Sequence, residues 1–456
     1  MTIINITAVA AAAPWIAYLM VRPRILTILV VLLSLFQLNW FTRYFGAPAI
    51  LNRVSLGFAG LLGIRLALDF ALKNSTFVNR WIILSPVLWL TCFFVLLTAL
   101  SNIFNGENLL LGIFELRYYY FGFVTCFSLY FYFKNVLSIS LFKKAMIWVG
   151  LTQIPLSILK WIAAEGGKTA TLDSVTGSFS GYGELVACQI IAICIVLLEE
   201  LTSKNKLVRL NNYFLSYLLL VPIILSKSKT ATLFVVMAIG FVWLLTILEK
   251  KNLAVLIKKS VSLTMTGIIM LSSLYLFFWK TNYDINQLFE KSYIIRYLMR
   301  PSIVDHQIYM MGSDPRMGRI KAICEATRLI SIKPVNLFIG FGSGATTEAS
   351  FLKTNGHYFQ WYGPLAGLGR NYFSKTIAEL GFLGLGAFIS FFTFIYIKIK
   401  NNFSYSSEIN KTFSLLIFTL FLLSFYTATL SSFFFNFAFA FFLATIQTEL
   451  DRTFNA

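Results

Sequence analysis

Four polar residues head an otherwise apolar segment in "GRNYFSKTIAELGFLGLGAFI" (Gly369–Ile389): Arg370, Asn371, Lys375 and Glu379. Arg370 and Gly381 lie about three helical turns apart, so the spacing predicts both on one face of a helix. A fixed guanidinium at a helix mouth suits an anion, phosphate above all, and the helix N-terminus beginning at Asn371 adds its own partial charge. It equally suits an anchor at a membrane interface. The same pair of readings holds for Arg117 at the start of an apolar run, where an unpaired Arg lines a cavity or snorkels. Lys229 in "SKSKTATL" reads as a turn residue or a phosphate contact, and Arg316 and Arg319 in "DPRMGRIKAI" as anion contacts or solvated charges. "GFGSG" places Gly340, Gly342 and Gly344 on alternate residues, a turn whose backbone N–H groups can approach a phosphate or sugar closely. No "GK[ST]" follows, so it is not a P-loop. His357, in "NGHYFQWYGP", is one of two histidines and reads as an acid–base group or a surface loop residue. Glu379 reads as a base, as a group orienting the arginines, or as the i+4 partner of Lys375.

The elements that must position these residues are membrane helices. The chain of 456 residues is 58% hydrophobic and only 12% charged, where soluble domains run near a quarter charged. Apolar runs of about 20 residues, long enough to cross a hydrocarbon core, recur from end to end. They include Ile82–Ile103, Ala145–Ile162, Ala231–Leu248, Ser260–Trp279 and Asn371–Ile397. The reading is an all-α polytopic membrane protein of about twelve spans, with residues 1–279 holding about nine, 280–370 forming one long loop, and 371–456 the remainder. The opening "MTIINITAVAAAAPWIAYLMV" lacks a basic leader and is read as a first membrane helix rather than a cleaved signal. Residues 49–72 fit either a polar span or a helix lying in the interface.

A formal charge of +19 does not imply nucleic acid here, because the basic residues fall in short loops such as "SKNKLVR" and "EKKNLAVLIKK". The positive-inside rule makes those loops cytoplasmic and puts residues 280–370 outside. That loop carries eleven Lys and Arg against six Asp and Glu, a surface suited to an anionic substrate or to plain solvation. Within it, Arg319 opens an amphipathic helix with Ile320, Ile323, Ala326, Thr327 and Ile330 on one face, ended by Pro334. The five cysteines lack zinc spacing, and the outside loop has no DxD pair and no His or carboxylate cluster. Neither a metal nor an organic cofactor is expected.

An Arg-led amphipathic helix, a proline, "GFGSG", a variable loop and a polar pair before "AELGFLGLGAF" together resemble the O-antigen polymerase and O-antigen ligase superfamily. The likeness is clearest over Asp314–Ile389, with weaker echoes in "FELRYYYFGF", "VTGSFSGYGELVA" and "SKSKTATL". The resemblance implies a C-type glycosyltransferase fold in the bacterial inner membrane, with its site on the periplasmic face. Its substrates would be a donor and an acceptor oligosaccharide carried on polyprenyl diphosphate, with membrane lipid around it and a chain-length regulator as a protein partner. Arg370 and Arg319 would then neutralise the departing diphosphate without a metal, while Arg117, Lys229, Arg316, Asn371 and the three glycines contact substrate. His357 and Glu379 would serve proton transfer. Ligases carry His-Asn where this chain has Arg370-Asn371, whereas Arg followed eleven residues on by Gly resembles polymerases, so polymerase is favoured over ligase. Lys229 stands where an Arg is usual, which keeps the charge but loses the planar fork. Outside the enzyme class the alternative is a lipid-linked oligosaccharide flippase, which calls for two matching halves that the hydropathy lacks.

Overall fold

The computed structural model describes residues 14–37, 54–72, 82–163, 175–179, 181–202, 206–226, 229–249, 318–349, 354–362, 368–403, 408–427 and 432–455, with 267, 268, 272 and 299 as isolated positions. Most of the first half of the 280–370 segment, Arg316 included, lies outside this set, as do the side chains of Lys229 and Arg370.

The described elements are helices: α1 (Pro14–Val21), α2 (Pro23–Leu35), α3 (Val54–Leu72), α4 (Leu84–Asn105), α5 (Leu109–Phe133), α6 (Ile139–Ala163), α7 (Tyr182–Thr202), α8 (Lys206–Leu225), α9 (Lys229–Glu249), α10 (Arg319–Ile330), α11 (Pro334–Ile339), α12 (His357–Tyr362), α13 (Tyr372–Asn402), α14 (Glu408–Tyr426) and α15 (Phe433–Asn455). A two-residue antiparallel pair interrupts them, with β1 (Glu348–Ala349) against β2 (Thr354–Asn355). Among the described residues six helices are long and apolar enough to cross a membrane: α3, α4, α6, α13 and most of α14 and α15. Counting α1 and α2, bent by 106°, as one broken span gives seven. The protein is a multi-pass helical membrane protein. Most of the expected span Ser260–Trp279 and the first thirteen residues of the expected first helix lie outside the described residues, so this number is a count of the described helices alone. α5 has the length to span but carries Glu115, Arg117 and a run of tyrosines that lower its hydropathy. Val54–Leu72, whose sequence fitted a span or an interfacial helix, is among the six, and its Arg65 and Asp69 pair one helical turn apart at 2.9 Å.

The core is built around α15. Its sequence "FFFNFAFAFFLATIQTEL" is apolar on every face, which suits a helix enclosed on all sides. It packs against α5, α6, α2, α7 and α4, with Phe442 and Phe441 each 5.3 Å from the Phe142 ring of α6. In lipid such contacts stabilise through close packing, since the hydrophobic effect is already satisfied by the acyl chains. Charged side chains gather at the two ends. At one end Asp451 of α15 holds Lys134 and accepts from the Tyr130 hydroxyl at 2.6 Å, and Lys143 pairs with Glu408 at 2.8 Å.

The opposite end is assembled by helix caps and one helix break. Gly106, at φ 65°, closes α4 in the left-handed conformation that favours glycine. Two residues later Asn108 caps α5 by accepting from Leu110 N at 2.9 Å. Asn371 caps α13 the same way, accepting from Ser374 N at 2.8 Å. Residues 372–402 do not form one continuous helix. Gly381 sits at φ 61°, ψ −162°, so α13 is two helices meeting there. Arg370 lies in a separate 3₁₀ turn, Leu368–Arg370, before the cap. The expectation of Arg370 and Gly381 on one continuous helical face is therefore corrected. α10 also differs from its sequence reading: Ala322, Ala326, Leu329 and Ile330 form its buried face, and Pro334 starts α11 rather than ending α10.

Breaking α13 frees the carbonyls of Ala378 and Glu379. They accept instead from the amides of Phe341 and Gly342, at 2.8 and 3.1 Å. The chains are so close that a Cβ on Gly381 would stand 2.4 Å from the Phe338 carbonyl oxygen, and one on Gly340 would stand 2.4 Å from the Glu379 carbonyl carbon. Gly381→Ala and Gly340→Ala are each expected to destabilise the protein by about 2–4 kcal/mol, through clash plus forced positive φ. Gly386 has open space around it, and Gly386→Ala should be neutral or stabilising by up to about 1 kcal/mol. Thermal unfolding of the three purified variants in detergent checks the contrast; equal behaviour would contradict the packing described.

Candidate functional site

The "GFGSG" turn is the hub of this end. Its three glycines have φ of 69° (Gly340), 112° (Gly342) and 89° (Gly344). Its N–H groups are spent on the protein itself. Beyond the two that meet Ala378 and Glu379, Ser343 N donates to Asn102 Oδ1 at 2.7 Å, and Asn102 Nδ2 donates back to the Ser343 carbonyl at 3.1 Å. Thr346 N reaches the Glu379 carboxylate at 3.3 Å, with the Thr346 hydroxyl at 2.6 Å and that of Thr347 at 3.3 Å. The turn is thus a bracket for helix ends rather than an open cradle for a ligand, which revises the reading of Gly340, Gly342 and Gly344 as substrate contacts.

On one side of the bracket lies a buried charged cluster. Glu115 of α5 and Lys375 of α13 form an ion pair of 2.5 Å, with side chains only 6% and 13% exposed. Arg117 stands 3.7 Å from the other Glu115 oxygen. Its guanidinium lies over the Phe114 ring at 3.5 Å and the Tyr118 ring at 4.2 Å, and donates to the Phe114 carbonyl and the Tyr118 hydroxyl. Among the described residues, none is a hydrogen-bond partner for the buried Arg117 Nε. Glu379, one turn beyond Lys375, is buried and held by the threonines. The cluster joins two cations and two carboxylates in a place where unpaired charge is costly. Lys375 bonds Glu115, 260 positions away, in preference to the i+4 pair expected with Glu379.

Below the cluster the Tyr119 and Tyr372 hydroxyls meet at 3.1 Å. Tyr119 also lines a partly open apolar space between α4, α5, α13 and α15, with Phe94, Phe388, Phe391 and Phe439 among its other walls.

The arginines flanking the bracket are placed by backbone. Asn371 Nδ2 donates to the Arg319 carbonyl at 3.1 Å, so the starts of α10 and α13 touch, and Arg319 is buried there. Gly369, beside Arg370, leaves room for Thr346: a Cβ there would stand 3.3 Å from its hydroxyl. Lys229 opens α9. His357 Nδ1 is 3.0 Å from Glu107 Oε1, and the same oxygen accepts from His357 N at 2.9 Å. No protein-family model and no curated protein matches this chain.

The structure therefore brings together Arg319, Asn371, Glu379, the Arg370 backbone, Arg117 and His357 around one turn. It adds Asn102, Glu107 and Glu115, which were not picked out as site residues. Glu115 carried a signal: a carboxylate two residues from an Arg inside an apolar helix is a site candidate by default. Asn102 and Glu107 carried none, since their roles depend on partners about 240 and 250 residues away.

Breaking the buried pair should be costly. Lys375→Met leaves two carboxylates and is expected to destabilise by about 3–5 kcal/mol, more than Glu115→Gln, which leaves Lys375 beside Glu379. The double variant should fall short of the sum by about 1 kcal/mol or more, measured as a thermodynamic cycle. Additive losses would mean the pair is not a functional unit of the fold.

Proposed function

We propose that this protein is a membrane glycosyltransferase that polymerises polyprenyl-diphosphate-linked oligosaccharide repeat units at the periplasmic face of the bacterial inner membrane. One observation carries the reading. The segments on which the family resemblance rests, Phe114–Phe123, the glycine turn and the start of α13, converge on one buried charged cluster although they are far apart in the chain. Arg319 and the Arg370 turn border that cluster, and the apolar space under Tyr119 gives a prenyl chain a route beside it.

The reaction asked of such a site is transfer of a glycan from diphosphate to a hydroxyl. The hydroxyl oxygen attacks the anomeric carbon, the carbon–oxygen bond to phosphate breaks, and its electron pair stays on the diphosphate. Preorganised cations in a partly dry cavity stabilise that leaving group. Arg370 and Arg319 are assigned to it, with Arg117 as a third cation whose buried Nε has a donor to spare. Lys375 is already engaged by Glu115, so in this reading it fixes α5 against α13 rather than meeting the leaving group.

Arg370→Ala is expected to abolish long glycan chains while leaving protein level intact, and Arg370→Lys to retain little activity because the fork is lost. Glycan analysis of a strain carrying each variant is the check. Deleting the gene should leave single repeats attached to their lipid core. Loss of all attached glycan would indicate a ligase, and substrate trapped inside would indicate a flippase. Purified protein given lipid-linked repeats should keep extending them in excess chelator; activity lost to chelator and restored by a divalent metal would refute the metal-independent mechanism.

A further inference from the structure

Glu107 is the single residue between the glycine that closes α4 and the asparagine that caps α5. Its own amide donates to the Asn102 carbonyl at 2.9 Å, and its side chain, only 3% exposed, tucks against the turn where Gly342 has no Cβ. A Cβ there would come within 2.9 Å of Glu107 Cγ. The carboxylate is thereby fixed from both ends of the connection. Its Oε1 receives the His357 backbone N–H and faces Nδ1 of the same residue, so it holds both the start of α12 and the ring. The imidazole itself is 46% exposed. α12 is in turn tied to the bracket, because Phe359 N donates to the Ala345 carbonyl at 3.1 Å and the Tyr358 ring stacks on Phe341 at 4.1 Å.

An ionised carboxylate only accepts hydrogen bonds, so Nδ1 must carry the proton of a neutral imidazole, and Nε2 is left as the basic atom. A buried carboxylate behind a half-exposed imidazole is the layout that orients a general base toward a hydroxyl. We infer that Glu107 and His357 form an imidazole–carboxylate dyad in which Glu107 is the positioning residue and His357 Nε2 takes the proton from the attacking sugar hydroxyl. This rests on the glycosyltransferase reading above. In the step, the O–H bond of the acceptor breaks as N–H forms on Nε2, and the hydroxyl oxygen bonds to the anomeric carbon. The diphosphate departs with its electron pair, and the imidazolium then returns its proton to water. The dyad and the charged cluster both meet one turn, Glu107 against Gly342 and Glu379 against Thr346.

Two measurements test this. The chain has two histidines, so a His306→Gln background leaves His357 as the sole imidazole. With ¹⁵N-labelled histidine in lipid bilayers, solid-state NMR above the ordinary histidine titration range should show Nδ1 protonated and Nε2 bare. Glu107→Gln, which can donate to Nδ1, should convert the ring to the opposite tautomer. The bare atom at Nδ1 in the unsubstituted dyad would overturn the inference. In the chain-extension assay on otherwise unaltered protein, His357→Ala should lower kcat about 10²–10⁴-fold. Glu107→Gln should lower kcat about tenfold or more with little change in KM. Unchanged kcat in His357→Ala, with the unsubstituted protein active, overturns the dyad's role and leaves the polymerase reading standing. No extension by the unsubstituted protein overturns that reading and the dyad's role with it.

Discussion

Everything at the glycine-turn end of the bundle hangs on one backbone-to-backbone contact, Gly340 against Gly381. A helix broken inside an apolar layer leaves carbonyls that no water can satisfy, and in such surroundings each unsatisfied group costs several kcal/mol. The amides of Phe341 and Gly342 answer the carbonyls of Ala378 and Glu379 one for one. Only residues without a Cβ let the two chains come that close. Because the contact is made by main chain, it fixes the turn and the first half of α13 as a single rigid piece. Glu379 then falls under Thr346, Ser343 falls against Asn102 and Ser101 reaches the Ile339 carbonyl, all as geometric consequences.

The charges are arranged on that rigid piece in a balanced way. Glu115, Lys375, Glu379 and Arg117 sum to zero when ionised, and each carboxylate has its own set of donors. Such a cluster adds little net stability compared with an apolar core, but removing one member leaves a buried charge exposed to its neighbours. It therefore serves as a lock on register, joining α5 to α13 at one relative height. The polarity beside it changes abruptly, from ion pairs to a ring of phenylalanines, with Tyr119 as the boundary residue.

Much of this was legible from the residues alone. The helical membrane class follows from composition, and the helix start at Asn371 and the helix beginning at Arg319 are carried by local signals. The break at Gly381 was not legible. A glycine in "AELGFLGLGAF" looks the same whether it admits a neighbour or ends a helix, and the choice is made by a turn forty residues upstream in the chain. The preference of Lys375 for Glu115 over Glu379 was hidden for a similar reason, since helical spacing reports only partners on the same helix. The role of the glycine turn was inverted rather than missed: its amides do approach acceptors closely, but the acceptors are the protein's own carbonyls, an Asn and a Glu. The hydropathy of α5 shows a further limit of composition: its tyrosines and the Glu115–Arg117 pair lower the mean of a helix long enough to span.

The enclosure of α15 has a consequence for how the molecule comes into being. It follows α2, α4, α5, α6 and α7 in the chain, yet it is the post on which all five pack. Until it is synthesised, none of the five can make its contacts with α15. The ion pair of Asp451 with Lys134 likewise joins a late helix to an early one and requires both to be present. The position of α5, and with it of Glu115 in the charged cluster, therefore depends on a helix that is made more than three hundred residues later.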